Sequence, residues 1–262
     1  TFGNGSSNNL AYTLGLSRNN TYTDPIYPTG GSSFSFSAKF TFPYSSVNNV
    51  DYSALKTERQ DLVNQLTTDP SNTSASERIA VIDQEKFRWL EYYKFKFKGE
   101  WYTALTKKLV LKPTFEFGFL GAYNNDRGIV PFERFFLGGD GLGTYSLDGR
   151  ETIALRGYPN QSLSSQDGGS IYNKYSLELR YPISLGQQAK VYALAFMEGG
   201  YSFNNFRDYN PFELKRSAGL GVRLFMPQFG LLGIDFGHGF DSLQGETDKH
   251  GWETHFIIGQ NF

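Results

Sequence analysis

The chain has 262 residues, 25 Lys and Arg against 26 Asp and Glu, no cysteine, and a mean hydropathy of −0.43. Near-neutral charge with no basic run among loop aromatics gives no sign of a nucleic-acid partner, and the absence of cysteine excludes disulfide scaffolds, thiol catalysis and cysteine metal sites. No run of about 18 apolar residues exists, so there is no transmembrane helix, yet 17% of the residues are aromatic, with 29 glycines and 17 tyrosines.

Strands are predicted, in chain order, at 9–18, 32–43, 88–104, 108–123, 171–182, 189–202, 213–226, 230–240 and 253–262. The second is the most regular. Phe34, Phe36, Ala38, Phe40 and Phe42 alternate there with Ser33, Ser35, Ser37, Lys39 and Thr41, and in a strand alternate side chains lie on opposite faces. The pattern recurs. Tyr93, Phe95, Phe97 and Trp101 alternate with Lys94, Lys96, Lys98 and Glu100. Leu111, Phe115, Phe117 and Phe119 alternate with Lys112, Thr114, Glu116 and Gly118, and Tyr175, Leu177, Leu179 and Tyr181 with Lys174, Ser176, Glu178 and Arg180.

Successive charges opposite a belt of aromatics would wreck a packed soluble core. They suit a transmembrane antiparallel β-barrel, with a wet lumen inside and lipid outside, whose signal averages out in any hydropathy scan. The connections support the same fold class. A stretch of about forty residues, Tyr44–Phe87, holds two candidate short helices, Ser53–Leu66 and Ser76–Glu85. A tight turn follows at Thr106–Lys108, then a long loop at 124–170, then a short link near Ser184–Gln188. Alternating long loops and short turns match extracellular loops and periplasmic turns, which makes 44–87 a long extracellular loop. About nine strands is an odd number, whereas single-chain bacterial barrels usually have an even one. With no initiator Met and no signal peptide at Thr1, residues 1–262 read as the C-terminal portion of a larger outer-membrane barrel, undivided by any linker.

Glu133-Arg134-Phe135-Phe136-Leu137-Gly138-Gly139 and Ala154-Leu155-Arg156-Gly157-Tyr158-Pro159 resemble the segment leading into the sixth extracellular loop of the BamA family of outer-membrane assembly proteins, with its Arg-Gly-Phe/Tyr signature. Other landmarks follow the family order: Tyr27-Pro28-Thr29-Gly30-Gly31-Ser32 resembles a periplasmic turn, Glu198-Gly199-Gly200 an acidic-x-Gly strand segment, and Gly230–Gly237 the penultimate strand. The last strand runs to an aromatic, Phe262. The resemblance implies the eighth to sixteenth strands of a sixteen-stranded barrel, with the 124–170 loop folded into the lumen. It implies an outer-membrane insertase that folds β-barrel clients through a lateral gate without nucleotide hydrolysis. It also implies partners: outer-membrane lipid, unfolded β-barrel clients, and accessory lipoproteins or other complex subunits. A TamA-like or two-partner secretion pore of the same superfamily shares the Arg-Gly-Tyr signature and is the alternative.

Two candidate sites follow. Arg156, Gly157 and Tyr158 form a loop latch with Glu178 and Glu198, whose alternation puts both carboxylates on the lumen face; an Arg fork matches a carboxylate and Gly157 permits a sharp turn. Phe256, Ile258, Gly259 and Phe262 form a gate strand and β-signal, with Gly259 and the following Gln260-Asn261 weakening strand propensity near its end. No catalytic, metal or cofactor site is expected. His238 and Asp235, three apart on a strand, fall on opposite faces; no nucleophile elbow or zinc helix occurs, and Gly138–Gly143 lacks a P-loop lysine.

Overall fold

The computed structural model describes residues 6–22, 24–141, 150–243 and 245–259. In chain order the elements are β1 (Ala11–Asn19), β2 (Gly30–Thr41), α1 (Tyr52–Thr68), α2 (Thr73–Phe87), β3 (Tyr93–Ala104), β4 (Val110–Gly121), β5 (Phe135–Leu137), β6 (Glu151–Ile153), β7 (Ile171–Leu185), β8 (Lys190–Phe203), β9 (Lys215–Met226), β10 (Gly230–Gly239) and β11 (Gly251–Gly259). Nine of these strands make one sheet in the order β1-β2-β3-β4-β7-β8-β9-β10-β11, so neighbours in sequence are neighbours in space. The pairings of β4 with β7 and onward to β11 are antiparallel. All nine strands predicted from the sequence, four of them by alternation, are present. The short, parallel pair β5 and β6 lies inside the long loop and carries no such signal.

The chain forms two compact units. The smaller comprises Thr1–Leu14, Ala38–Lys94 and Leu120–Val130, and the larger Gly15–Ser37, Phe95–Phe119 and Pro131–Phe262. In the smaller unit α1 and α2 start where a side-chain oxygen replaces the missing helical acceptor: Asp51 accepts from the Ala54 amide and Asn72 from the Ala75 amide, each at 3.0 Å. Two forked pairs join the helices, Arg78 to Glu58 (2.7 and 2.9 Å) and Arg59 to Asp83 (2.7 and 3.0 Å). Beside them Arg127 is buried with Glu91 at 2.5 Å, donates to the carbonyls of Lys86 and Trp89, and lies over the Tyr52 ring. Glu91 accepts in turn from the Ser45 amide and hydroxyl (2.7 and 2.6 Å), so both members of this buried pair are hydrogen-bonded.

In the larger unit the two sheet faces differ sharply. One face exposes Tyr175, Leu177, Tyr181, Met197, Leu220, Val222 and Phe236. The other carries Lys174, Ser176, Glu178, Arg180, Glu198, Ser217, Arg223, Asp235 and His255, and every one of these polar side chains is buried. Two things cover them. Apolar residues of the Pro131–Ser170 stretch, Phe135, Leu137, Leu155 and Tyr158, are fully buried there. Elsewhere Ile26 and Tyr27, from the turn between β1 and β2, pack with Val110, Tyr192, Leu194 and Phe196. The Tyr27 hydroxyl stands 3.0 Å from the Arg180 carbonyl and 3.1 Å from that of Lys108 and donates to one or the other; burial pushes its pKa up to about 12. The tyrosine of the Tyr-Pro-Thr-Gly-Gly-Ser turn therefore tucks the turn against the ends of β4 and β7. Among the described residues no helix is long and apolar enough to cross a membrane.

Candidate functional site

The segment around Arg156 is positioned by main-chain ladders on both sides. The Gly139 and Leu155 amides exchange hydrogen bonds with each other's carbonyls (3.1 and 3.0 Å), and Phe135 and Gly169 do the same (2.9 and 2.8 Å). Gly157 takes φ of +86°, and a Cβ there would stand 2.8 Å from the Ser217 Cβ. Opposite it, a Cβ on Gly237 would meet the Gly157 nitrogen at 2.7 Å, and one on Gly239 the Gly157 carbonyl oxygen at 2.6 Å. The loop thus lies backbone against backbone on β10, a contact only glycine allows.

That approach delivers Arg156, 6% exposed, onto three carboxylates. Its Nη2 donates to Glu178 Oε1 at 2.8 Å and Glu198 Oε1 at 2.6 Å, and its Nη1 to Asp235 Oδ2 at 3.2 Å. Its main-chain N–H reaches Glu198 Oε2 at 2.8 Å, and its guanidinium lies 3.8 Å from the Phe196 ring centroid. Each carboxylate has a second cation. Arg180 forks onto Glu178 (2.9 and 2.6 Å), Arg223 onto Asp235 (2.6 and 2.7 Å), and Lys174 stands 3.5 Å from Glu198, which also accepts from the Ser176 hydroxyl at 3.1 Å. Planar, five-donor guanidinium chemistry is what lets one side chain serve three acceptors from three strands.

The other sequence-identified residues fall around this centre. The Tyr158 hydroxyl donates to the Arg216 carbonyl at 2.7 Å and accepts from the Asp241 amide at 3.2 Å; burial pushes its pKa up to about 12. Phe256 and Ile258 lie on the opposite face of β11, 55% and 65% exposed, and Gly259 pairs with Leu231. Phe262 lies outside the described residues, as do the last two residues of the Gly138–Gly143 run. The structure brings Arg156, Gly157, Glu178 and Glu198 together and leaves the exposed pair of β11 apart from them. His238 stands against Trp252 and Phe240 on the face away from Asp235.

Sequence reasoning gives Asp235, Arg223, Arg180 and His255 no part in the site. Alternation puts Arg180 beside Glu178 on one face. For Asp235 the signal is its glycine setting: Gly233, Gly237 and Gly239 share its face, leaving it as the one side chain there able to meet a loop cation. Among the described residues no group of three His, Cys, Asp or Glu side chains is placed to hold a metal ion. The carboxylates are already occupied by arginine.

A nine-stranded sheet with one apolar exposed face and one charged face under a folded-back loop defines an outer-membrane-type β-barrel protein. The chain belongs to the Omp85 superfamily, whose domain model matches residues 2–262. Among solved structures it is similar to BamA from Haemophilus ducreyi lacking POTRA domains 1–3, with a TM-score of 0.57 and 18% identity over 94% of this chain. The match covers 42% of that BamA chain, so this chain spans less than half its length, and the likeness is one of fold. No curated protein matches.

Proposed function

We propose that this chain is the membrane-embedded portion of a BamA-like factor that folds and inserts β-barrel proteins into the bacterial outer membrane. The observation that supports this best is the buried junction of Arg156 with Glu178, Glu198 and Asp235, which seats the long loop on the charged sheet face while the other face stays apolar and exposed. In this reading the charged face lines the lumen, the apolar face meets lipid, 44–87 is extracellular, and the 124–170 loop occupies the lumen as a latch. The factor acts on unfolded β-barrel clients, alongside accessory lipoproteins.

The work is done by pairing, not by covalent chemistry or nucleotide hydrolysis. A strand at a sheet end carries N–H and C=O groups that can template another strand. β11 ends the sheet order, and it pairs with β10 over the nine positions Gly251–Gly259 among the described residues, against ten between β9 and β10 and fourteen between β7 and β8. A client strand added at such an edge satisfies its backbone without water, and burial of its apolar face drives the step to completion. Phe256, Ile258, Gly259 and Phe262 then serve as one side of a lateral gate and as a β-signal.

The test is a pair of cysteines in the full-length protein, one in Phe256–Phe262 and one in the first barrel strand. Cross-linking them is expected to abolish client insertion, while a cross-link between β7 and β8 is not. Full activity in the locked form would remove the gate and leave a scaffold or membrane-thinning role.

A further inference from the structure

His255 is a buried titratable side chain at the junction that takes no ion pair among the described residues. It lies on the charged face of β11, 3% exposed, opposite Asp235 in the β10–β11 register. The Gly157 main-chain N–H donates to its Nε2 at 2.8 Å. An imidazole nitrogen that accepts carries no proton, so the ring holds its hydrogen on Nδ1. The Gly157 amide cannot turn away, because its peptide lies against Gly237 and Gly239. A second contact reaches the same strand one residue on: the Phe256 amide donates to Asp140 Oδ2 at 3.4 Å. The loop that Arg156 anchors to β7, β8 and β10 is therefore also tied to β11, at adjacent residues.

We propose that His255 is a positioning residue that couples the seated loop to the last strand, and that protonation of its ring releases β11 from the loop. The proposal rests on the gate reading above and adds to it a component that senses acid. Protonation at Nε2 places an N–H against the Gly157 N–H, two donors with no acceptor between them. The hydrogen bond is lost. Burial of the ring opposes its charging, as do Arg156 from the loop and Arg223 from β9, while Asp140 from the loop, Glu253 on β11 itself, Asp235 from β10 and Glu198 from β8 favour it. Since Arg156 remains paired, acid loosens the strand and leaves the loop in place.

Amide hydrogen exchange on the full-length protein in lipid vesicles, between pH 7.5 and 5, tests this with three forms. In the wild type, the protection of β11 amides relative to their intrinsic rates is expected to fall about tenfold on acidification, the weight of one lost buried hydrogen bond. His255→Gln offers an amide oxygen near the Nε2 position and cannot be protonated, so β11 is expected to stay protected at both pH values. His255→Leu is expected to lose protection at both. Amides of β7 and β8 report the fold in every form; if His255→Leu also exposes them, the contrast between wild type and His255→Gln decides. An acid response that persists in His255→Gln, or wild-type protection that does not change with pH, overturns the proposal. Client insertion is measured separately on the same vesicles, so an acid-released strand without any change in insertion would count against the gate and not against the coupling.

Discussion

Arg156 grips Glu198 twice: Nη2 donates to Oε1 at 2.6 Å, and the Arg156 main-chain N–H donates to Oε2 at 2.8 Å. Side chain and backbone of one loop residue thus hold both oxygens of one strand carboxylate, which fixes where the loop lies as well as how its charge is neutralised. A lysine could supply the charge but not the reach to Glu178 and Asp235 from the same position.

Removing that residue leaves three buried carboxylates with fewer cations. Arg156→Ala is expected to lower the stability of the full-length protein by about 3–5 kcal/mol, the usual cost of stripping one partner from a buried pair. Arg150→Ala, at an exposed position of the same loop, is expected to stay within about 1 kcal/mol. Denaturant unfolding in detergent micelles measures both, and equal losses would remove Arg156 from the role of latch.

The close approach of loop and sheet can be tested without touching any charge. Gly237→Ala puts a methyl group 2.7 Å from the Gly157 nitrogen and 2.8 Å from its Cα, where only backbone can yield. The expected cost is about 1–3 kcal/mol, with weaker protection of the loop from protease. Gly199→Ala meets only side-chain atoms at ordinary contact distance, of Leu214 at 3.4 Å and Arg216 at 3.9 Å, and is expected to change stability by less than about 0.5 kcal/mol. A tolerated alanine at 237 would mean that the loop does not sit on β10 in the native protein.

Acid sensitivity is expected at the turn between β1 and β2. Burial acts to raise the pKa of Asp24, but Lys190 at 2.7 Å and the amides of Ile26 and Tyr27 (2.9 and 3.3 Å) outweigh it and hold the carboxyl below its usual range. A carboxylate with a lowered folded-state pKa contributes stability above its unfolded value, near ~3.9, and loses it as the pH falls through the folded value. Asp24→Asn should therefore cost about 0.5–1 kcal/mol at neutral pH and flatten the stability curve below pH ~4. An unchanged acid limb in an unfolding titration would show that Asp24 is not ionised against Lys190.

Four of the nine strands are legible residue by residue because each face meets a different solvent, which stamps a period of two on the chain. Phe34 and Phe36 against Ser33 and Ser35, or Leu177 against Glu178, report their faces with no knowledge of neighbours. The same parity puts Glu178 and Glu198 on one face, and Arg156 stands out because Arg156-Gly157-Tyr158 resembles the family's Arg-Gly-Phe/Tyr signature. Neither β5 with β6 nor the Arg127–Glu91 pair could be read this way. Three-residue strands are too short for a period, and Arg127 and Glu91 belong to segments 36 residues apart with no repeating pattern between them.

What the amino-acid sequence determined alone was therefore which side of each strand every residue occupies, since that depends only on local geometry and on the chemistry of the two solvents. Which residues meet across strands was decided by tertiary structure. Asp235 joins Arg156 because of the register of β9, β10 and β11, and His255 receives the Gly157 amide because three glycine positions let the loop backbone descend onto the sheet. Register and approach distance are properties of paired backbones. A single strand, however clear its alternation, carries neither.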